Sequence, residues 1–278
     1  MPAPMYFSRR EAIFLGATAA AAIVLAPLTG CASSQQQSTG TLRVGVRGDV
    51  AGFGSYNEKN NKYYGLEIDI AEELAKRLGY KDVAYTQVTP ETRKETLLNG
   101  EVDCLIACYS VSDSRKKNFD FSDTYYDDSI ILMVEKSSLI SSTKKLSGAT
   151  FGTVSGANTA PQLAQYLIEK GFSEGKKVKA NKDNTHVAFD TWTLLQFESY
   201  KELSDALESG KVDAMACDGA IAKAYTNDDR MLVKDFSIDP QHYAVATNKD
   251  SKLSQPVKNA ISNMLDDKTI ANLIEKWS

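Results

Sequence analysis

The sequence predicts an α/β protein built as two lobes of similar construction, and three observations carry that prediction. Short apolar runs alternate with helical stretches from Thr41 onward, the pattern of a mostly parallel sheet covered by helices. One helix–glycine–strand unit occurs twice, as LLNGEVDCLIAC at 97–108 and LESGKVDAMACD at 207–218. Leu97, Gly100, Val102 and Asp103 answer Leu207, Gly210, Val212 and Asp213 at a constant offset. The 278 residues suffice for one large domain or two modest ones, each with its own core.

In chain order, LRVGV (42–46) is the first strand candidate. GLEIDIAEELAKRLG (65–79) reads as a helix, because Leu66, Ile70, Leu74 and Leu78 recur every four residues and Gly79 stops it. VAYTQV (83–88) is the next strand. Thr89 is placed to cap a helix that begins at Pro90 and closes at Gly100. VDCLIACYS (102–110) is a near-continuous apolar run, as in a strand buried on both faces. ATFGTV (149–154) followed by APQLAQYLIEKG (160–171) repeats the opening strand–helix order, and 212–217 forms the strand of the second repeat copy.

The first thirty residues read as an address. Arg9 and Arg10 precede an apolar, alanine-rich stretch that runs to about Leu28, the charge-then-apolar order of an export signal. Its end, Leu28-Thr29-Gly30-Cys31, resembles the lipobox of bacterial lipoproteins. That resemblance implies cleavage before Cys31 and lipidation of its sulfur, with 31–40 as a polar, flexible tether to the outer face of the cell membrane. Ser8-Arg9-Arg10 also resembles the twin-arginine signal, so the export route stays open.

A formal net charge of -4 without a basic block argues against nucleic acid as a partner. Four cysteines and two histidines leave little material for a metal site, and no cofactor motif is present, so none of either is expected. Cys104 and Cys108 sit four residues apart on one strand, about 13 Å at the strand rise. That exceeds the roughly 7 Å reach of a disulfide, and free thiols are expected at 104, 108 and 217.

Paired α/β lobes place ligands beyond the carboxyl ends of their strands. Arg47, Ser110, Ser112, the 155–159 turn and Asp218 all fall just after predicted strands. Arg115 offers the forked guanidinium that meets a carboxylate with two hydrogen bonds. Asp218 can hold a cation or simply cap the next helix. One anion-binding group opposite one cation-binding group is the minimum receptor for a zwitterion, and no G-x-S-x-G or H-E-x-x-H competes for the cleft.

GLEIDIAEELAKRLG, LLNGEVDCLIACYSVSDSRKKNFDFSDTYY and LESGKVDAMACD closely resemble the polar amino-acid solute-binding proteins of ABC importers, from about Leu42 to Trp277. The resemblance implies a type II periplasmic-binding-protein-like fold: two lobes joined by two crossover strands, closing on ligand like a hinge. The crossovers would fall near Tyr125–Ser129 and Gln241–Tyr243, with lobe one at 41–126 plus 244–278 and lobe two at 130–240. By the same resemblance Arg115 takes the ligand's α-carboxylate, assisted by Ser112, while the Ser110 carbonyl and Asp218 take the α-ammonium. Asn158 and Thr159 contact ligand from lobe two. Cys108 stands where such proteins often have glycine. The implied partners are a free L-amino acid and the permease subunits of an importer, and the protein is expected to work as a monomer.

Two further arginines bear on which amino acid. A buried, unpaired guanidinium is costly, so Arg47 and Arg93 ask for an anion, and glutamate or aspartate would supply a side-chain carboxylate. The same positions, with Tyr200, line the side-chain pocket in the glutamate/aspartate-binding branch that this chain resembles. The alternatives are that Arg47 pairs with Asp49 or Glu58 and that the ligand is glutamine, cysteine or another polar amino acid. From other classes, an enzyme resembling cyclohexadienyl dehydratases or a surface adhesin on the same fold stays open.

Overall fold

The computed structural model describes residues 40–278; residues 1–39, with the expected export segment, Cys31 and nearly all of the expected tether, lie outside the described residues. β1 (Thr41–Val46) turns Leu42, Val44 and Val46 into the core. A small antiparallel sheet of β2 (Asp49–Val50), β3 (Gly54–Asn57) and β4 (Lys62–Tyr64) follows. α1 (Leu66–Arg77) buries Leu66, Ile70, Ala71 and Leu74, with acidic residues in its first turn and basic ones in its last, matching the helix dipole. Then come β5 (Asp82–Gln87), α2 (Arg93–Leu98), β6 (Cys104–Ile106), α3 (Asp113–Lys116) and the 17-residue strand β7 (Phe119–Glu135).

The second lobe comprises β8 (Thr150–Val154), α4 (Thr159–Glu169), β9 (Lys177–Ala180), β10 (His186–Phe189) and β11 (Thr193–Phe197). α5 (Tyr200–Glu208), β12 (Ala214–Asp218), α6 (Gly219–Ala222) and β13 (Arg230–Leu232) complete it. β14 (Ile238–Asn248) returns to the first lobe, where α7 (Ser254–Asp266) and α8 (Thr269–Trp277) close the chain's fold.

One sheet runs β5-β1-β6-β14-β7-β12-β8-β11-β10-β9 through the protein. β1 pairs in parallel with β5 and β6, and β8 pairs in parallel with β11 and β12. Between these two parallel groups lie only β7 and β14, antiparallel to each other from Asn248↔Phe119 to Ile238↔Ile130. The segments expected as crossovers lie side by side there, His242 opposite Asp127 and Tyr243 opposite Tyr126. The mixed α/β sheet therefore forms a two-lobed fold with both lobes hung on one pair of strands.

The internal repeat is a structural repeat. Gly100 and Gly210 end α2 and α5 at φ 69 and 71, a left-handed step that glycine makes without Cβ strain. In each copy the following Val is buried and the Asp locks onto the neighbouring strand. The Asp103 carboxylate accepts the Arg43 N–H at 2.9 Å, and the Asp213 carboxylate accepts the Thr150 N–H at 2.7 Å. Val102 joins Leu97 of α2 in one buried cluster, and Val212 joins Leu203 and Leu207 of α5 in another. Trp192 packs the second lobe, stacked on Phe189 at 4.2 Å and edge-on to Phe151.

Two elements differ from expectation. The nine-residue strand at 102–110 is cut to Cys104–Ile106, because Cys108 takes a left-handed φ of 46 and breaks the ladder. The helix expected from Pro90 begins at Arg93 with Thr92 at its N-cap; Thr89 and Thr92 instead exchange side-chain and backbone hydrogen bonds in the preceding turn.

Candidate functional site

The loops after β1, β6, β8 and β12 converge where the two lobes meet. From the first lobe come three guanidinium groups in three different situations. Arg47, 1% exposed, donates from Nε and Nη2 to both oxygens of Asp49 at 2.9 and 2.7 Å. This corrects the expectation that Arg47 lacks an anion: Asp49, two residues along the same chain, is its partner. Burial pulls the Arg47 pKa down, but the Asp49 charge and hydrogen bonds more than reverse that and hold it above its ordinary value.

Arg93, 3% exposed, is different. Its Nη1 donates to the carbonyls of Ala107 and Cys108 at 2.6 and 3.0 Å, while Nε is buried without a hydrogen-bond partner. Burial, and then the positive charge of Arg47, lower its pKa. Arg115 is half-buried, and its Nη1 donates to the Ser110 carbonyl at 2.7 Å. Burial and the neighbouring Arg93 bring Arg115 down to about 10. The guanidinium carbons of Arg93 and Arg115 both lie over the Tyr109 ring, at 4.6 and 4.1 Å from its centroid, a cation–π arrangement that attracts the charges without neutralising them. Ser112 is the N-cap of α3; its hydroxyl lies 3.4 Å from the Arg115 N–H and 3.1 Å from the Ser114 hydroxyl.

The second lobe presents Asp218 at the end of β12. It occupies the N-cap position of α6, yet its side chain makes no capping bond. That corrects the capping reading, and the physical reason is Asp128. This residue of β7 accepts the Ala220 N–H at 3.0 Å and so takes over the cap. The Asp218 carboxylate instead accepts the Tyr243 hydroxyl at 2.5 Å. Burial, with the charge of Asp128 adding to it, raises Asp218 to about 6, against the lowering by Tyr243, Arg93 and Arg115.

Tyr200, the first residue of α5, lies with its ring 5.4 Å from the Arg47 guanidinium carbon. Asn158 holds the N-cap position of α4 without a capping bond, and its Nδ2 is buried without a hydrogen-bond partner; Thr159 is buried beside it. The lobes touch at Gly156, whose carbonyl accepts from Arg115 Nη2 at 3.3 Å. Gly156 has φ 75, and a Cβ there would lie 2.4 Å from the Pro90 carbonyl oxygen. A cavity of about 330 Å³ opens beside this contact, lined by Pro90, Glu91, Tyr109, Arg115 and Gly156 among others.

The structure therefore brings Arg47, Arg93 and Arg115, with Ser110 and Ser112 bonded to Arg115, into electrostatic reach of Tyr200 and Asp218, while Asn158 and Thr159 stand at the start of α4, just past Gly156. Sequence reading missed Tyr109, Asp128, Tyr243 and Glu67. Only Glu67 left a signal: it lines up at helical spacing with Ala71, Leu74, Ala75 and Leu78, a carboxylate on an apolar face. Cys104, Cys108 and Cys217 are free and buried. Burial raises all three thiols, Cys104 to about 12.

Comparison with known proteins bears on the family and the fold. The profile of the bacterial extracellular solute-binding proteins, family 3, matches residues 42–278. The glutamine-binding protein of Geobacillus stearothermophilus is 33% identical over 219 residues, 77% of this chain and 74% of that protein. The ABC transporter glutamine-binding protein GlnH of Bacillus subtilis is 28% identical over 239 residues, 84% of this chain and 79% of that protein. Among solved structures, an ancestral arginine-binding protein bound to arginine superposes with a TM-score of 0.69 at 29% identity, covering 86% of this chain and 98% of that one. Further relatives are named for arginine, glutamate and L-cystine.

Proposed function

Because the chain belongs to the bacterial extracellular solute-binding proteins, family 3, over residues 42–278, we propose that it captures an L-amino acid with a carboxylate side chain, glutamate or aspartate, between its two lobes. The observation that carries the acidic reading is Arg93. It is the buried guanidinium of the cleft without a carboxylate partner, and burial together with the positive charge of Arg47 lowers its pKa. A ligand carboxylate relieves that repulsion, and a charge-assisted hydrogen bond to a buried cation is worth about 1.5–3 kcal/mol.

In this reading Arg115 takes the α-carboxylate, with the Ser112 hydroxyl and N–H beside it. Asp218 and the Ser110 carbonyl hold the ammonium, Asn158 and Thr159 close over the ligand from the second lobe, and Arg47 with Tyr200 backs the side-chain pocket. Lobe one is 41–126 with 244–278 and lobe two is 130–240, hinged near 125–129 and 241–243. A ligand that touches both walls favours the closed form by its differential affinity. The role is capture and delivery to the permease subunits of an ABC importer, without catalysis. The protein acts as a monomer outside the cytoplasm, exported by residues 1–30 and tethered by acyl groups on Cys31.

A second reading has its own support. Arg47 already holds Asp49, so the pocket carries less unmet positive charge than three free arginines would, and a neutral carbonyl can satisfy Arg93. That favours glutamine. Calorimetric titration of ligand-stripped protein with glutamate, aspartate, glutamine, arginine, cystine and cysteine separates the readings. Tight one-to-one binding of glutamate or aspartate supports the acidic pocket; preference for glutamine replaces it with the second reading; binding of none of them removes the amino-acid receptor.

A further inference from the structure

Glu67 lies in the first turn of α1, fully buried, and it belongs to neither wall of the cleft. Its Oε1 accepts two short hydrogen bonds, from the Cys108 N–H at 2.6 Å and from the Tyr125 hydroxyl at 2.5 Å, while Oε2 is buried without a partner. Each of those donors leads to something the site needs. Cys108 stands in the left-handed region, φ 46, where an L-residue with a Cβ is disfavoured and glycine is not. Its carbonyl, together with that of Ala107, is what Arg93 Nη1 grips. Two residues on, the Ser110 carbonyl receives Arg115. Tyr125 sits in β7, one of the two strands on which both lobes hang.

We infer that Glu67 is the positioning residue of the binding wall: its carboxyl holds the Cys108 N–H so that the left-handed turn persists and aims successive carbonyls at Arg93 and Arg115, and it ties that turn to the crossover strand through Tyr125. The chemistry supports the assignment over simple packing. A carboxyl group on an apolar helix face costs desolvation, which raises its pKa, with the Tyr125 and Cys108 hydrogen bonds opposing. An alanine or leucine would fill the face more cheaply, so the group is there for its acceptor oxygen. The inference rests on the reading of Arg93 and Arg115 as ligand-holding groups, and its test separates the two.

Five variants decide it: Glu67→Ala, Glu67→Gln, Cys108→Gly, the double variant of Glu67→Ala with Cys108→Gly, and Tyr125→Phe. Amino-acid affinity is measured by calorimetry and stability by urea unfolding without ligand. Glu67→Ala is expected to weaken binding about tenfold, the scale of one lost hydrogen bond to a buried group. Glu67→Gln keeps an acceptor oxygen and stays within about threefold of the parent. Cys108→Gly, which adopts the turn without help, restores binding in the double variant to within about threefold of the parent. Tyr125→Phe leaves the turn held and changes ligand-induced closure, read by small-angle scattering, more than it changes affinity. Equal losses from Glu67→Ala with and without Cys108→Gly, in both affinity and unfolding, would overturn the inference. Should Glu67→Ala fail to fold, folding of the double variant supports the inference and its failure sinks it. Should the parent bind no amino acid, the proposed function falls while the unfolding cycle still decides whether Glu67 and Cys108 are coupled.

Discussion

With Asp218 as the proposed partner of the ligand ammonium, affinity is expected to depend on pH in a direction opposite to stability. Its carboxyl, raised to about 6, is surrounded by Asp128 on β7, Tyr243 on β14, Arg93 on α2 and Arg115 on α3. Only the ionised form pairs with a ligand ammonium. Protons therefore compete with the ligand below about pH 6, and at pH 5 roughly one free molecule in ten remains competent, so Kd rises about tenfold from pH 8 to pH 5. The ligand's side-chain carboxylate, near 4 when free, stays largely ionised over that range, and its α-carboxylate, held lower by the adjacent ammonium, more so. Stability runs the other way. A folded-state carboxyl at about 6 against 3.8 when free binds its proton more tightly in the native state. The ionised group therefore costs the ligand-free fold about 3 kcal/mol above pH 6, a cost that disappears as pH falls toward 4. Asp218→Asn removes both effects: ligand-free protein becomes more stable at pH 7.5 by up to about that amount, while affinity falls at pH 8 and loses its acid limb. Calorimetry and urea unfolding at pH 8, 7, 6 and 5 on both proteins provide the assay. A Kd flat from pH 8 to 5 in the parent, or an equal acid limb in Asp218→Asn, refutes the assignment of Asp218 to the ammonium.

Three more outcomes follow from distances at the cleft. Arg93→Met keeps the side-chain stem without its donors and is expected to weaken glutamate binding about 10- to 100-fold, with a smaller loss for an amino acid lacking a side-chain acceptor, measured by parallel titrations. Gly156→Ala places a Cβ 2.4 Å from the Pro90 carbonyl oxygen at φ 75; closure should be disfavoured by about 1–2 kcal/mol or more, seen as weaker binding and a smaller ligand-induced contraction in small-angle scattering. Asp49→Ala leaves Arg47 buried without its carboxylate and should lower ligand-free stability by about 1–3 kcal/mol, with a larger thermal shift on adding glutamate than the parent shows.

Much of the fold was legible because it is written in local patterns. The α1 helix follows its four-residue leucine spacing, and the repeated Gly-x-Val-Asp reports a repeated strand registration, Asp103 on Arg43 and Asp213 on Thr150. What stayed hidden depends on partners distant in sequence. No periodicity tells that Asp128 caps α6 from 92 residues away and so releases Asp218. Nor does it tell that Tyr109 supplies one ring for two arginines. The apolar run at 102–110 looked like an unbroken strand because Cys108 gives no local sign of a left-handed residue; the sign lies in Glu67, far along the chain. For Arg47 the sequence left two readings open, a ligand anion or pairing with Asp49 or Glu58, and the structure chooses Asp49, two positions away.

The central claim is that one amino acid spans the cleft from Arg115 to Asp218. A crystal structure grown with the tightest-binding amino acid tests it most directly. The ligand's α-carboxylate is expected on the Arg115 guanidinium, its ammonium on the Asp218 carboxylate with Tyr243 still bonded behind it, and its side chain directed to Arg93. A ligand seated elsewhere, or one whose ammonium faces the arginines, would contradict it.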